Sequence, residues 1–395
     1  MKILVLSQYY TPDITAAAFR IKETVDLLRQ QGCSVRVVTS KPHKSRAGGT
    51  EERLSREEGI IRTPIFKYRG GGKWNYLAHY ISFMVNAIFA GIFRGGMANI
   101  VYATSPPLFV ALSGWVVARV KGAKFVLDIR DIWPDSAVTT GQISECGALF
   151  RYAKVLEKWL YKKADLITCV AQPMADYIND FVPEKKIAII YNGIPKANLA
   201  KHGRINKLSN DKMNIVYVGN MGYCQALDLV LEAAKSLKEV GDKRFQFHLI
   251  GDGVEKEKLQ KKKEDFFLDN VTILGPVCKE EAIQYIHNSS ALFLQLKEDA
   301  TMKKTIPSKV FDYMVGGKPI LFGIEGEGKA LLGRIEGNLP FCSNNLKSFL
   351  DALRRMADNY QNFADLAIAN RNIVEEGYTR ESMVAKLYQE LGDLM

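Results

Sequence analysis

Short apolar runs and amphipathic stretches alternate along most of the chain. Ile3–Ser7, Ser34–Thr39, Ile60–Ile65, Asn99–Thr104, Lys124–Arg130, Leu166–Val170 and Ile187–Tyr191 are rich in β-branched and aromatic residues, which predicts strands. Between several of them, Ala17–Gln31, Leu108–Val120 and Leu149–Lys163 have helical spacing. The pattern breaks into Gly, Pro, Lys, Asn and Ser over Asn192–Asp211, as a linker would. It restarts with strands at Asn214–Gly219, Phe245–Gly251, Val271–Leu274, Ala291–Leu296 and Pro319–Phe322. Helices are expected near Ala226–Val240, Glu255–Lys263, Lys279–Asn288 and Ser308–Val315, and in the tail over Leu346–Ala369 and Arg380–Met395. Strand–helix alternation in two blocks predicts an α/β protein of two doubly wound, Rossmann-like domains facing across a cleft. The expected boundaries are a first domain at 1–195, a linker at 196–212, a second domain at 213–375 and a final helix at 376–395. In such sheets ligands sit outside the carboxyl ends of the strands.

Trp74–Phe93 holds twenty residues without Lys, Arg, Asp or Glu. A membrane span, a buried core helix and a helix lying in the lipid interface all suit that count. Asn75, His79, Ser82 and Asn86 are spaced four, three and four apart, so they form one polar stripe. A span would also tear the first sheet apart. Lys67, Arg69 and Lys73 precede the segment and Arg94 follows it, as expected for docking on anionic headgroups. The preferred expectation is monotopic attachment through residues 74–94.

Composition narrows the rest. The 395 residues are 47% hydrophobic and 25% charged, with net charge +11, which suits globular protein with an anionic partner. The basic excess at Lys41–Arg56, Lys67–Lys73 and Lys256–Lys263 forms no nucleic-acid tail, and no nucleic-acid partner is expected. Six scattered cysteines without metal-ligand spacing read as reduced thiols. Met1-Lys2 leads straight into a strand, with no cleavable signal peptide. The expected place of work is the cytoplasmic face of the bacterial inner membrane.

Strand 1 is followed by Ser7-Gln8-Tyr9-Tyr10-Thr11-Pro12-Asp13, not by a dinucleotide fingerprint, and no P-loop occurs. The second block opens Val216-Tyr217-Val218-Gly219-Asn220-Met221-Gly222 before a helix, where backbone N–H groups can cradle a diphosphate. Gly251-Asp252-Gly253 would admit a nucleotide close to the backbone, and Gly275-Pro276-Val277 could present main-chain groups to a base. In Ile306–Pro319, Lys309 lies in the first turn of a helix, where the dipole disfavours a cation; an anionic partner such as phosphate is implied. Asp312, one turn on, can accept hydrogen bonds from a ribose diol. In the first block, Asp128-Ile129-Arg130-Asp131-Ile132-Trp133-Pro134-Asp135-Ser136 ends a strand. There Arg130 could steady a phosphate or acceptor and Asp131 could polarise an attacking hydroxyl, with Asp128 and Asp135 less committed. Thr104-Ser105-Pro106-Pro107 follows another strand. No His pairs with Cys or a carboxylate at ligand spacing, and no D-x-D is present for a divalent cation on a diphosphate.

Tyr10–Asp13, Ala103–Phe109, Leu127–Ser136, Tyr217–Gly222, Gly251–Gly253 and Pro307–Pro319 together make the chain resemble the retaining glycosyltransferase family 4 of GT-B fold. Within it, the resemblance is to the bacterial branch of O-antigen and capsule synthesis that includes N-acetyl-L-fucosamine transferases. It covers nearly the whole chain. It implies a UDP-sugar donor on the second domain, an acceptor on the first and a C-terminal helix crossing back. The acceptor would be a polyprenyl-diphosphate-linked saccharide at an anionic inner-membrane surface. Neither cofactor nor metal is implied, and retention would need no enzymic nucleophile. The candidate catalytic residues are Asp131, Arg130 and Lys309. Donor-binding candidates are Gly219, Asn220, Gly222, Gln225, Gly251, Gly253, Val277, Lys309 and Asp312; acceptor-side candidates are Thr15, Thr104, Ser105 and Trp133. The family's E-x7-E is only loosely kept, with Asp312 at the second glutamate and Lys304 at the first. Its diphosphate-loop arginine and lysine are replaced by Asn220 and Gln225, so the charge falls to Lys309, Arg130, Lys303 or Lys304. Two other functions fit the same scaffold: a UDP-sugar epimerase, and a non-catalytic membrane-attached scaffold in glycan assembly.

Overall fold

Each apolar run read as a strand is one in the computed structural model, which describes all residues except 14, 43–57, 67–71, 140, 142, 201–207 and 209–210. Most of the basic stretch Lys41–Arg56, the flanking Lys67 and Arg69, and part of the 196–212 linker lie outside the described residues. The chain divides into two compact units, 1–191 with 380–395, and 192–379. The first boundary therefore falls four residues before 195, and the last helix joins unit 1 from 380, not 376.

Unit 1 carries β1 (Lys2–Leu6), β2 (Ser34–Ser40), β3 (Ile60–Thr63), β4 (Ile100–Ser105), β5 (Lys124–Ile129), β6 (Leu166–Cys169) and β7 (Ile187–Ile189). They form one sheet in the order β3-β2-β1-β4-β5-β6-β7, parallel throughout. The strands are nearly continuous apolar runs because helices cover both faces. On one face α1 (Ala16–Gln30) packs beside α15 (Arg380–Gly392). Ile21, Val25 and Leu28 of α1 share a core with Met383, Val384 and Leu387 of α15, over Ile3, Val5 and Val37. The opposite layer holds α2 (Gly72–Phe93), α3 (Leu108–Lys121) and α5 (Ala148–Lys163), with α3 packed against both others. Right-handed crossovers from β3, β4 and β5 place them there. The short α4 (Asp135–Thr139) follows β5, and α6 (Gln172–Asn179) joins β6 to β7.

Unit 2 repeats the plan with β8 (Met213–Asn220), β9 (Phe245–Asp252), β10 (Val271–Leu274), β11 (Ala291–Gln295), β12 (Ile320–Gly323) and β13 (Leu339–Pro340) in the order β10-β9-β8-β11-β12-β13. Its helices are α7 (Asp228–Glu239), α8 (Lys256–Asp265), α9 (Lys279–Asn288), α10 (Ser308–Met314), α11 (Glu327–Leu332), α12 (Leu346–Asp358), α13 (Tyr360–Ala367) and α14 (Ala369–Gly377). Where Leu346–Ala369 reads as one helical stretch, Asn359 leaves helical geometry at φ −140° and divides it. Winding reverses between β1 and β4 in unit 1 and between β8 and β11 in unit 2, which is where this architecture opens a crevice. Among the described residues no helix is long and apolar enough to cross a membrane, which removes the span reading of residues 74–93.

Candidate active site

In unit 2 the crevice end is built around a neutral, glycine-rich bend. Gly219 and Gly251 face each other in register on β8 and β9, at φ +147° and +145°. A Cβ on Gly251 would lie 1.9 Å from the Gly219 carbonyl oxygen, and one on Gly219 would lie 2.1 Å from Lys309 Cε. Backbone fills the first place and the Lys309 side chain the second, and both φ values disfavour any residue but glycine, so Lys309 lies directly along the bend. Helix α10 reaches that point because Tyr313 docks it: its buried phenol accepts from Val218 N (2.9 Å) and donates to Val218 O (3.2 Å). Lys309 Nζ donates to Tyr217 Oη at 2.7 Å and lies 4.7 Å from the centre of that ring, while Tyr217 itself donates to Asn220 O. Burial pushes the Lys309 ammonium down to about 8, with Asp312 pulling the other way. Losing water without gaining a full anion costs the cation its usual basicity. A phosphate arriving here would supply the missing charge.

The bend's amides are less free than its sequence suggests. Met221 N donates to Asp252 O at 2.7 Å, and Gly222 N to Gln225 Oε1 at 2.9 Å. The strand also leads first into a 3-10 turn over Tyr223–Gln225, so α7 begins at Asp228, whose carboxylate is held by Lys258 (2.9 Å) and Lys262 (3.1 Å). With these amides engaged and a 3-10 turn set before α7, the cradle expected at a helix N-terminus is instead a strand-end bend, along which Lys309 is laid. Gly253 abuts Met221 O, where a Cβ would stand 2.3 Å away. Val277 and Asp312 are half-buried, in the loop after β10 and on α10. The loop after β11 is tied to the bend by Lys297 N donating to Cys224 O (2.8 Å) and Gln295 Nε2 donating to Ala226 O (3.0 Å).

In unit 1 the corresponding end is filled with charge. Asp128, fully buried, receives Arg130 Nε at 2.8 Å and Thr168 Oγ1 at 2.7 Å, with Arg20 of α1 3.9 Å away. Burial alone would raise its carboxyl, but Arg130, Arg20 and Thr168 outweigh that and hold it below the usual range. Arg20 is pushed down to about 9, by burial first and then by Arg130. The Asp131 side chain is open to solvent, yet surrounding protein removes enough water to raise its carboxyl to about 6, against the pull of Arg20 and Arg130. Arg130 itself is turned inward: its side chain is 8% exposed, it donates through Nη1 to Ile190 O at 3.2 Å, and its backbone N–H donates to Ser105 O at 2.8 Å. The guanidinium expected to be offered to substrate is instead tied to Asp128 on β5 and to the Ile190 carbonyl just past β7.

Residues 15–193 match the model of the glycosyl transferase 4-like domain, and residues 212–359 match that of the glycosyl transferases group 1. The chain is a glycosyltransferase of the GT-B fold. WcaI of Escherichia coli K12, which is named for colanic acid biosynthesis, is 25% identical over 86% of this chain and 87% of its own length. Sucrose-phosphate synthase from Thermosynechococcus elongatus superimposes with a TM-score of 0.79 at 14% identity, covering 100% of this chain and 99% of that one. Anabaena HepE in complex with UDP-glucose does so at 0.70 and 13% identity, covering 100% of both.

The transferase distributes its other candidates unevenly. Thr15 caps α1, its hydroxyl accepting from Ala18 N at 3.1 Å. Thr104 and Ser105 are buried at the end of β4, and Trp133 is half-buried beyond β5. Asn220 is exposed and Gln225 half-buried. Lys303 and Lys304 lie on a 3-10 turn before α10. Among the described residues no three His, Cys, Asp or Glu are grouped to hold a metal. The sequence did not reveal the anchor of α4, the helix just after the Asp131–Trp133 segment. Lys154 of α5 pairs with Asp135 at 2.5 Å and with the fully buried Glu157 at 2.7 Å, and Tyr161 donates to Glu157 at 2.7 Å. The same side chains had passed for part of an amphipathic helix.

Proposed function

We propose that this glycosyltransferase moves a sugar, with retention at the anomeric carbon, from a UDP-sugar to a polyprenyl-diphosphate-linked saccharide in the assembly of a cell-envelope glycan. The observation that carries the donor side is Lys309. It is a cation of depressed basicity laid along a glycine-rich backbone bend. HepE, of the same fold, holds UDP-glucose, and WcaI is named for colanic acid biosynthesis; both support the reading. The sugar is proposed to be an N-acetylated deoxyhexosamine such as N-acetyl-L-fucosamine, with O-antigen or capsule as the product.

In the proposed reaction the bond from the anomeric carbon to the diphosphate oxygen breaks, and one to the acceptor hydroxyl oxygen forms on the same face. The acceptor proton passes to the departing phosphate oxygen. Lys309 stabilises the charge that develops there, the kind of preorganised contact that contributes most to rate. Asp131 orients the acceptor hydroxyl, while Arg130, Asp128 and Lys154 hold its loop. Metal and cofactor play no part in this scheme. UDP release is measured with a panel of UDP-sugars, with and without a polyprenyl-diphosphate disaccharide. Release only when both substrates are present, with a product of unchanged anomeric configuration, supports the reading. Interconversion of the UDP-sugar without acceptor would replace it with epimerisation.

A further inference from the structure

Backbone carbonyls and phosphate oxygens are both acceptors, so an uncommitted carbonyl that faces a diphosphate repels it. The bend after β8 has its carbonyls occupied. Val218 O accepts from Tyr313 Oη at 3.2 Å, Asn220 O accepts from Tyr217 Oη, and Met221 O accepts from Glu255 N at 3.0 Å. Gly219 O is turned to β9, where a Cβ on Gly251 would strike it. Two of these four oxygens are thus held by buried phenols.

Tyr217 differs from Tyr313 in what else its hydroxyl touches. A hydroxyl has one proton, and that of Tyr217 goes to Asn220 O. Towards Lys309 Nζ, 2.7 Å away, the oxygen can therefore only accept. Burial and Tyr313 hold this phenol well above its usual value, so it keeps its proton across the neutral range. The ammonium gives one of its three protons to the phenol and lies 4.7 Å from the ring centre. The other two protons have no partner among the described residues. An acceptor oxygen and a ring face both favour the charged form of an amine. They act against burial, which lowers Lys309, and on the same side as Asp312 of its own helix, which raises it. One hydroxyl therefore sets where the charge stands, helps it remain a charge, and occupies the carbonyl beside it. Core packing does not account for that group. Beside Ile215 and Leu249 a phenylalanine would fill the same space.

We propose that Tyr217 is a positioning residue for the donor diphosphate, its hydroxyl aiming the Lys309 ammonium along the Gly219 bend and keeping the Asn220 carbonyl from the arriving anion. The proposal deepens the donor reading and rests on it. UDP affinity of the full chain is measured by calorimetry across about pH 6–9. The proteins are wild type, Tyr217→Phe, Lys309→Met and the double variant, each checked for folding by circular dichroism. Tyr217→Phe is expected to weaken UDP about tenfold. Its loss of affinity on the alkaline side should begin about one pH unit lower than in wild type. In the Lys309→Met background, where only the carbonyl is left to matter, the same change should weaken UDP about twofold or less. Wild type grown with 3-fluorotyrosine, whose oxygen is a poorer acceptor, should show the alkaline break displaced in the same direction without any substitution. An equal loss in both backgrounds, an unmoved break in either experiment, or a Tyr217→Phe protein that binds UDP like wild type overturns the proposal. Lys309→Met that leaves UDP binding intact removes the donor reading and this role with it. Lys309→Met that abolishes binding where Tyr217→Phe does nothing removes the positioning role alone.

Discussion

The two units share a strand order but fill its crevice end with opposite materials. Unit 1 packs Arg20, Asp128 and Arg130 into a nearly dry web beneath Asp131, whereas unit 2 sets phenols and glycines around one ammonium group. The first arrangement is internally paired and fixes loops in place. The second is short of one negative charge. Topology places both crevices, but side chains decide which is a scaffold and which is open to an anion.

The sharpest way to break this contrast is Asp128→Ala. It leaves two buried guanidinium groups without their carboxylate, and stripping one partner from a buried pair costs about 3–5 kcal/mol. Chemical denaturation should show unit 1 destabilised by that amount while the thermal shift with UDP, which the proposed donor site assigns to unit 2, persists. Loss of the UDP response along with it would erase the distinction between the units.

Next in size is Lys309→Met. Removing one preorganised donor to the leaving group should lower kcat/KM about 10²–10³-fold with the fold intact by circular dichroism. The pH dependence sharpens the same point. Lys309 is protonated below about 8 in the free protein, and only the ammonium form suits a diphosphate. The KM for donor should therefore climb above pH 8, about tenfold per unit, and Lys309→Arg should flatten the rise. A KM indifferent to pH across that range would place the charge elsewhere.

The smallest effect is on stability at Asp131. Its carboxyl is raised to about 6 from 3.8, so ionisation disfavours the folded state above pH 6 and has no effect below the unfolded value. Asp131→Asn should stabilise at pH 8 and lose that gain by pH 3. The side chain is open to solvent, so the gain should stay below about 1 kcal/mol. A thermal scan at both pH values reads it directly.

Much of the fold could be read in the chain because parallel strands covered on both faces are continuous apolar runs, as in Ile3–Leu6 and Ala291–Leu294. Lys309 stood out because its local helix position is unfavourable. Its partner did not, since Tyr217 is 92 residues away, and Tyr313 bonds across 95. No local spacing encodes such pairs. Arg130 misled for the converse reason: a charged residue at a strand's end looks available until burial and Asp128 are seen. His79, Ser82 and Asn86 of α2 share one stripe, but periodicity alone does not say that this stripe faces the protein.

Because α15 completes the core beside α1, unit 1 is a discontinuous domain with unit 2 inserted between its parts. On the ribosome every residue of unit 2 emerges before Met383, Val384 and Leu387. Unit 1 therefore waits with a flank of its sheet uncovered while its neighbour can already mature, and the nascent chain is most vulnerable to aggregation in that interval.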